Sequence, residues 1–376
     1  MIKDVQRKPY INILYLLAII LVLLSNIFAN YLSIFLYLKP NISKTNCTQI
    51  HYISAGQGDC IAISFASGET MLIDSGTELY RNKITRYLDN IVLKGNRIDY
   101  VVLTHTDLDH SSNIEYILNR YDVGTFYRPP VYTKDENPYN YVYSETYEKI
   151  LDTAKRKGVT IKFNDDDNFL KCGSATISWL YPDMDDLYGY TDSTNIYSAV
   201  MILEDNGIRA MFTGDISSRI ERDIIDSYSQ NDLDIDILKI PHHGSNTSTS
   251  SDFLEATTPD YAIISVGDNS YGHPSEGVLS RILEYDEVNG KNLQNNTYRT
   301  DRDGNIILTL DKEVIVEFVD NIDKYSFSPY WLYSLIFAFL IVFFMLKPYM
   351  EMWYKRWRFD LHNKKHKEKQ LESSGK

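Results

Sequence analysis

The most informative stretch of this sequence is Tyr100-Val-Val-Leu-Thr-His-Thr-Asp-Leu-Asp-His110. Its first four residues are apolar and rich in valine, which predicts a short buried strand. Four side chains that bind metal ions in proteins follow directly: His105, Asp107, Asp109 and His110. Two carboxylates and two imidazoles crowded at a strand end lose hydration and repel one another, and a divalent cation removes both penalties. The alternative is a solvated acidic loop with two histidines in it by chance.

Three other predicted apolar strands also end in polar residues. These residues are Asp215, the pair His242 and His243, and His273. Convergent strand ends are the way in which α/β proteins build their sites. The sequence therefore predicts one site made from four separate strand ends.

The remaining elements also indicate an α/β protein. Asp205-Asn-Gly207 is a strong turn signal and predicts a hairpin between strands 198–204 and 210–213. Apolar spacing predicts helices, and a last hairpin is predicted near the end of the acidic region. The helices are expected at 78–93, 113–121, 144–157, 217–228 (with Ser217 as cap) and 275–285, and the hairpin strands at 304–310 and 313–319.

The middle of the chain is strongly acidic. Residues 47–325 hold 24 of the 38 Lys and Arg residues and 46 of the 51 Asp and Glu residues, a formal net charge of −22. Such a surface repels polyanions, so duplex DNA would need a local basic patch, and the sequence contains no obvious one.

Both ends of the chain contain an apolar segment. Residues 11–38 and 327–346 are each long enough to predict a transmembrane helix, although a cleavable signal peptide is the alternative for the first. Lys and Arg flank the outer side of both segments, which places residues 1–10 and the basic tail 347–376 in the cytoplasm. The acidic domain at 47–320 is then expected on the far side of a bacterial cell membrane.

The three cysteines do not form a metal-binding pattern. Cys47, Cys60 and Cys172 are odd in number, which does not indicate a disulfide framework. Cys60 lies at a predicted strand start, which favours a buried structural thiol at that position. An extracytoplasmic location leaves one disulfide open.

Several motifs together resemble the metallo-β-lactamase superfamily, and more narrowly the hydrolase domain attached to ComEC-type competence proteins. The central ones are His105-x-Asp-x-Asp-His110, Thr213-Gly-Asp215 and Lys239-Ile-Pro-His-His-Gly-Ser245. The resemblance covers residues 48–319 and extends to Gly56-Gln-Gly-Asp59, Leu72-Ile-Asp-Ser-Gly76, Asn195-x-x-Ser198, Tyr271-Gly-His-Pro274 and Arg299-Thr-Asp-x-Asp-Gly304. It implies a four-layer αββα sandwich, here between two transmembrane helices.

The resemblance also implies roles for individual residues. His105 and Asp107 would form one metal site, Asp109 and His110 the other, and Asp215 would bridge them. Either His242 or His243 would complete the shell around Zn, with two ions expected and Mn as a competitor. Catalytic roles would fall to Asp109, His243 and His273, and substrate contacts to Asp59, Asn195, Ser198 and Ser245.

Two departures from the commonest superfamily pattern concern the first metal site. That pattern has histidine where Asp107 stands, although the ComEC-like branch also uses aspartate. It also has a histidine before the bridging aspartate, whereas residues 111–214 contain none. Asn195 or Asp192 would have to substitute, which makes the first site rich in oxygen ligands and leaves Mn competitive with Zn.

Three functions remain open from the sequence. The first is a membrane-anchored phosphodiesterase with nuclease-type activity on extracytoplasmic DNA. The second is a cell-surface phosphodiesterase that acts on phosphocholine-like groups of wall polymers, because a cationic head group suits the acidic surface. The third is a non-catalytic membrane scaffold that retains the fold.

Overall fold

A computed structural model describes residues 20, 24, 46–92, 95–137, 144–164, 166–167, 169–181, 194–319 and 330–374. Several predictions lie outside these residues: most of the first apolar segment, residues 327–329 of the second, and Asp192. The chain divides into two units. One unit, Lys39–Asp323, carries the acidic domain, and the helix Tyr330–Ser374 belongs to the other.

The acidic domain contains two mixed β-sheets. The first sheet has eight strands in the order β15-β14-β1-β2-β3-β4-β5-β6, and the second has seven in the order β13-β12-β11-β10-β9-β8-β7. Their bounds are β1 Thr48–Tyr52, β2 Ile61–Ser64, β3 Thr70–Ile73, β4 Arg97–Val102, β5 Asp122–Arg128, β6 Thr160–Phe163, β7 Phe169–Cys172, β8 Ala175–Tyr181, β9 Val200–Asp205, β10 Ile208–Phe212, β11 Ile237–Lys239, β12 Tyr261–Ile264, β13 Thr297–Arg299, β14 Asn305–Leu310 and β15 Val314–Val319.

Strand direction determines where a site can form. Strands β3 to β6 run parallel in the first sheet, and β10 to β13 run parallel in the second. The other pairs are antiparallel, among them the predicted hairpin β9–β10, in which Asn206 and Gly207 both have positive φ, as a two-residue turn with this twist requires. The last hairpin, β14–β15, is also confirmed.

Three hydrophobic clusters separate the layers. Ile84, Ile117 and Tyr147 lie in the cluster between helices and the first sheet. A second cluster packs the two sheets against each other, and a third, which contains Phe253, lies between the second sheet and its helices. Buried apolar surface on both faces of each sheet explains why its strands are nearly continuous apolar runs.

The predicted helices form with small shifts. The described helices are α1 Arg81–Tyr87, α2 Leu108–Ser111, α3 Ile114–Arg120, α4 Glu145–Lys157, α5 Ser218–Ser227, α6 Gln230–Leu233, α7 Ser251–Thr257, α8 Glu276–Asn289, α9 Thr300–Asp303 and α10 Tyr330–Ser374. Of these, α2, α6, α7 and α9 were not predicted, and α10 continues well beyond the apolar segment predicted at 327–346. The single helix expected over 78–93 instead starts as a 3₁₀ turn at Glu78–Tyr80 and ends as a π-helix at Leu88–Val92. This wider turn keeps Leu88 and Val92 in the same buried cluster as Ile84.

Ser217 occupies the N-cap position of α5, as predicted, but its side chain makes no capping hydrogen bond. The Ser218 N–H instead donates to the carbonyl oxygen of Thr247, at 2.8 Å. A distant loop therefore satisfies this helix end, which sequence spacing does not reveal.

Among the described residues, no helix combines the length and apolarity that crossing a membrane requires. No disulfide forms in this part of the chain, and Cys60 is buried, as expected of a structural thiol. Cys172 is buried as well.

Candidate metal centre

Four strand ends meet at one edge of the two sheets. Asp74 follows β3 and the segment from His105 to His110 follows β4, in the parallel part of the first sheet. Asp215 and His243 follow β10 and β11, in the parallel part of the second. Parallel neighbours end at the same edge, so these polar side chains are brought together.

Four of the predicted ligands form a compact cluster. The Nε2 atom of His110 lies 3.3 Å from Oδ2 of Asp215, and the Nε2 atom of His243 lies 3.2 Å from the same oxygen. His243 Nε2 is also 3.3 Å from Oδ2 of Asp109. All four ligand atoms lie within 4.8 Å of one another. The Asp109 side chain is 33% exposed and the others are buried, so the cluster opens on its Asp109 side.

The buried nitrogens of this region fit a metal ion. The Nε2 atoms of His105, His110 and His243 are enclosed and make no hydrogen bond of normal geometry within the described part of the chain. A buried imidazole nitrogen without such a bond costs stability. Imidazole nitrogens with carboxylate oxygens are a ligand set that suits Zn and Mn. The residues present therefore fit a divalent cation.

The electrostatics of the cluster point the same way. Burial opposes charge on His110, but the carboxylates of Asp215, Asp74 and Asp109 raise its pKa well above the usual value. Burial likewise opposes charge on His243, yet Asp215 and Asp109 raise its pKa to about 9. These imidazoles in turn lower the pKa of Asp215 despite its burial. The carboxylates therefore favour positive charge in the cluster. A bound cation would supply this charge and displace the protons from the imidazoles.

Comparison with known proteins agrees with this geometry. The sequence profile described as the metallo-beta-lactamase superfamily matches residues 53–268. The chain belongs to this superfamily. The match includes strands of both sheets and the four clustered ligands, so the superfamily and its α/β fold are confirmed.

Curated relatives within the superfamily are distant. ComE operon protein 3 of Bacillus subtilis is 26% identical over 287 residues, which cover 72% of this chain and 34% of that protein. Competence protein ComA of Neisseria gonorrhoeae is 26% identical over 261 residues, 66% of this chain and 31% of that protein. The chain therefore spans about a third of the length of these relatives. Among solved structures, the metallo-beta-lactamase fold protein YhfI from Bacillus subtilis aligns with a TM-score of 0.42 and 11% identity, over 72% of this chain and 99% of that one.

The other predicted superfamily site is sparser. His105 is fully buried, and its Nε2 lies 3.8 Å from Oδ2 of Asp107. The Asp107 side chain is 43% exposed, and its Oδ1 accepts a hydrogen bond from Thr194. Ser198 Oγ lies 3.3 Å from Nδ1 of His105, on the opposite side of the ring from Nε2. This pair offers one enclosed nitrogen and one exposed carboxylate, fewer ligands than the four-residue cluster.

The consecutive histidines of the superfamily motif separate in space. His242 and His243 have φ values of 51° and 53°, a left-handed conformation that is strained for non-glycine residues. The His243 side chain is 2% exposed and reaches the cluster, whereas the His242 side chain is 28% exposed and its Nε2 lies 3.9 Å from Asp215. His242 therefore lies at the rim of the four-residue cluster.

His273 also lies at this rim. Its ring centre is 5.7 Å from that of His242, and its Nδ1 is 3.5 Å from Nε2 of Gln57. Burial, followed by the positive charge of neighbouring histidines, lowers the pKa of both rim imidazoles. Both rings lie at the rim, outside the set of four clustered ligands.

Asp74 supports the cluster and is absent from the predicted site residues. It is fully buried. Its Oδ2 lies 2.8 Å from Nδ1 of His110, and it accepts hydrogen bonds from the backbone N–H and the hydroxyl of Thr104. A carboxylate on Nδ1 fixes which nitrogen of His110 faces the cluster. The sequence signal was a carboxylate directly after a buried strand.

Lys239 is the second supporting residue that prediction from the sequence missed. Its side chain is fully buried, and Nζ lies 2.5 Å from Oδ2 of Asp59, 2.7 Å from the carbonyl oxygen of Gly214 and 3.7 Å from Oδ1 of Asp215. Burial opposes the charge, but both carboxylates raise the pKa of Lys239. An ammonium ion beneath the cluster thus balances part of its negative charge.

Two residues predicted to contact substrate are enclosed. Asp59 is 1% exposed and pairs with Lys239, and its Oδ1 lies 3.8 Å from Nδ1 of His243. Ser198 is fully buried, and its Oγ accepts a hydrogen bond from the N–H of Asp215. Because neither side chain reaches solvent, the structure assigns both to the support of the cluster and not to substrate contact.

The other two predicted substrate residues lie in supporting turns. The carbonyl oxygen of Asn195 accepts from the N–H of Ser198, at 3.1 Å. Ser245 is 6% exposed and its hydroxyl contacts that of Thr247. The loop after the histidine pair is tied down by Glu221, whose carboxylate accepts hydrogen bonds from two of its backbone N–H groups.

Proposed function

We propose that this protein is a metal-dependent phosphodiesterase with nuclease-type activity on DNA outside the cytoplasm. The observation that carries the proposal is the four-residue cluster, in which two carboxylates and two buried imidazole nitrogens lie within 4.8 Å. DNA is the substrate that the resemblance to ComEC-type competence proteins implies, and one of the similar relatives is named a competence protein. Zinc is the proposed ion, with one firmly bound ion, a second at His105 and Asp107, and Mn as a competitor.

The residues around the cluster suit hydrolysis of a phosphodiester. A divalent cation bound there would supply Lewis acidity toward the phosphate and water activation near neutral pH. Asp109 is the exposed ligand of the cluster, so its carboxylate is the one that an incoming water reaches. The imidazole N–H groups of His242 and His273 lie at the mouth, where they would donate to phosphoryl oxygens and hold a proton for the leaving group.

Release of nitrophenol from bis-p-nitrophenyl phosphate tests the proposal. The full chain in detergent is loaded with Zn or Mn, and an Asp109→Ala/His110→Ala variant serves as the blank. A second double variant, Asp311→Ala/Glu313→Ala, removes two exposed carboxylates from the turn between β14 and β15 and serves as the matched control. We expect turnover in the parent and the control, and at least a 100-fold loss in the blank, because two ligands of the ion are gone.

The outcomes separate the three functions. Turnover followed by cleavage of oligonucleotides supports the nuclease. Turnover with cleavage only of choline phosphodiesters would favour the wall-polymer hydrolase instead. Metal binding without turnover of any of these substrates would favour the non-catalytic scaffold.

We also propose that the acidic domain is anchored on the outer side of a bacterial membrane. The apolar segments 11–38 and 327–346 and the basic residues outside them support this placement. Protease added to intact cells should digest the acidic domain and spare the basic tail. Protection of the domain under these conditions would contradict the proposed orientation.

A further inference from the structure

The loop after β12 has a fixed shape without regular secondary structure. The Nδ2 atom of Asn269 donates to the carbonyl oxygens of Gly267 and His273, both at 2.9 Å. Its Oδ1 accepts from the N–H groups of Tyr271, at 3.1 Å, and His273, at 3.0 Å. One side chain thus closes the loop with four hydrogen bonds, so the loop keeps its shape without a ligand.

The same loop packs tightly against the edge of the sheets at which the four-residue cluster lies. A Cβ on Gly267 would lie 2.4 Å from the backbone carbon of Gly56, and the Gly267 N–H donates to Oε1 of Gln57. At its other end, a Cβ on Gly244 would lie 2.6 Å from Cβ of Pro274. Backbone contacts this close hold the loop in one position relative to the histidine pair.

A row of aromatic rings runs from the cluster to the tip of this loop. The His242 ring, beside Asp215, lies 5.7 Å from the His273 ring. The His273 ring in turn is stacked with Tyr271, with centroids 5.7 Å apart and an interplanar angle of 28°. Tyr271 is 75% exposed at the outer end of the row. One face of the tyrosine is therefore supported by His273 and the residue remains largely open to solvent.

We propose that Tyr271 is a stacking platform for a nucleobase next to the scissile phosphate of a single-stranded nucleic acid. The inference rests on the proposed phosphodiesterase function and names its substrate class. A single flat ring suits a planar base, whereas a trimethylammonium group is usually enclosed by several rings. The formal charge of −22 on residues 47–325 disfavours binding through the phosphate backbone alone, so base stacking supplies affinity that charge does not.

The test measures binding apart from turnover. A six-residue phosphorothioate oligonucleotide with one 2-aminopurine is titrated against the full, Zn-loaded chain, because stacking quenches this base. Tyr271→Ala should weaken binding about 5- to 100-fold. Tyr271→Phe retains the ring and should stay within about twofold of the parent. Phe169→Ala removes another exposed aromatic ring, from β7, and should leave the Kd unchanged.

An abasic hexamer identifies the partner of the ring. Its binding, measured by competition with the 2-aminopurine hexamer, should not respond to Tyr271→Ala. Equal loss on the abasic hexamer, an unchanged Kd in Tyr271→Ala, or displacement of the oligonucleotide by phosphocholine would each overturn the inference. Turnover of bis-p-nitrophenyl phosphate, measured on the same samples, keeps the two proposals apart. Turnover without base-dependent binding refutes the platform alone, and base-dependent binding without turnover refutes the hydrolase alone.

Discussion

Replacement of Lys239 by methionine tests the charge balance beneath the cluster. The ammonium lies 2.5 Å from Asp59, and both side chains are enclosed. At an effective dielectric constant of about 20, this separation corresponds to roughly 7 kcal/mol of attraction, much of which the desolvation of the two charges offsets. Methionine fills a similar volume but leaves the carboxylate of Asp59 buried without its counter-charge.

The expected loss in the free energy of unfolding follows from the cost of burying a carboxylate without its counter-charge. Removing one partner of a buried ion pair costs about 3–5 kcal/mol, because it leaves a buried charge without compensation. The Lys239→Met variant should therefore be about 4 kcal/mol less stable than the parent at pH 7. The difference should shrink as the pH falls, because the folded variant then gains a proton more cheaply.

Urea unfolding of metal-free protein at pH 7 and pH 5 measures this difference. The double variant Lys239→Met/Asp59→Leu is the control, because removing both charges of a buried pair costs far less than removing one. A loss below about 1 kcal/mol at pH 7 in the single variant, or a loss independent of pH, would refute the reasoning.

Three other predictions concern a buried histidine, a close backbone approach and the histidine pair. Burial lowers the pKa of His51 to about 3. The unfolded side chain titrates near 6.5, so stability present above this pH is lost as the pH falls, by about 2 kcal/mol at pH 5. As the pH falls, the urea midpoint of the parent should decrease more than that of His51→Gln. The same pH dependence in both proteins would contradict this. Gly58→Ala would place a Cβ 2.2 Å from the backbone oxygen of Asp109. The matched control is Gly95→Ala, because a Cβ at Gly95 meets nothing within 4 Å. Thermal unfolding should show a loss of about 1–3 kcal/mol for Gly58→Ala only, and equal effects of the two substitutions would argue against the close approach. After desalting, the parent and His242→Ala should each retain about one Zn per chain and His243→Ala almost none. Elemental analysis measures the retained Zn, and equal retention by the two variants would contradict the assignment of His243 as the ligand.

The sequence predicted the parts of the site that lie at strand ends. Val101 and its apolar neighbours identify β4, and a metal-binding cluster directly after a buried strand is a local pattern. The same reasoning placed Asp215 and the histidine pair, because each follows an apolar run. Local pattern therefore sufficed wherever the chemistry and the strand that positions it are adjacent in the chain.

The supporting residues were missed because their partners are distant in the chain. Lys239 contacts Asp59, 180 positions earlier, and nothing in either segment alone specifies that contact. Without its partner, a lysine near the end of an apolar strand resembles a residue that leaves the sheet for solvent. Asp59 was assigned to substrate for the same reason, since a carboxylate in a glycine turn is indistinguishable from an exposed one until the second sheet packs over it.

The four-residue cluster and the site at His105 and Asp107 differ in burial and in ligand number, and both the sequence and the structure account for the difference. Asp107 stands where the commonest pattern has histidine, and the structure leaves its side chain 43% exposed and bonded to Thr194. The four-residue cluster is enclosed, and Asp74 and Lys239 hold its histidine and its carboxylates in place. An ion in the enclosed cluster gains from low dielectric and fixed ligands, whereas an ion at His105 and Asp107 must displace a hydrogen bond and compete with water. The ion in the four-residue cluster should therefore be retained, and an ion at His105 and Asp107 should exchange. Activity should then rise with added metal beyond one equivalent per chain.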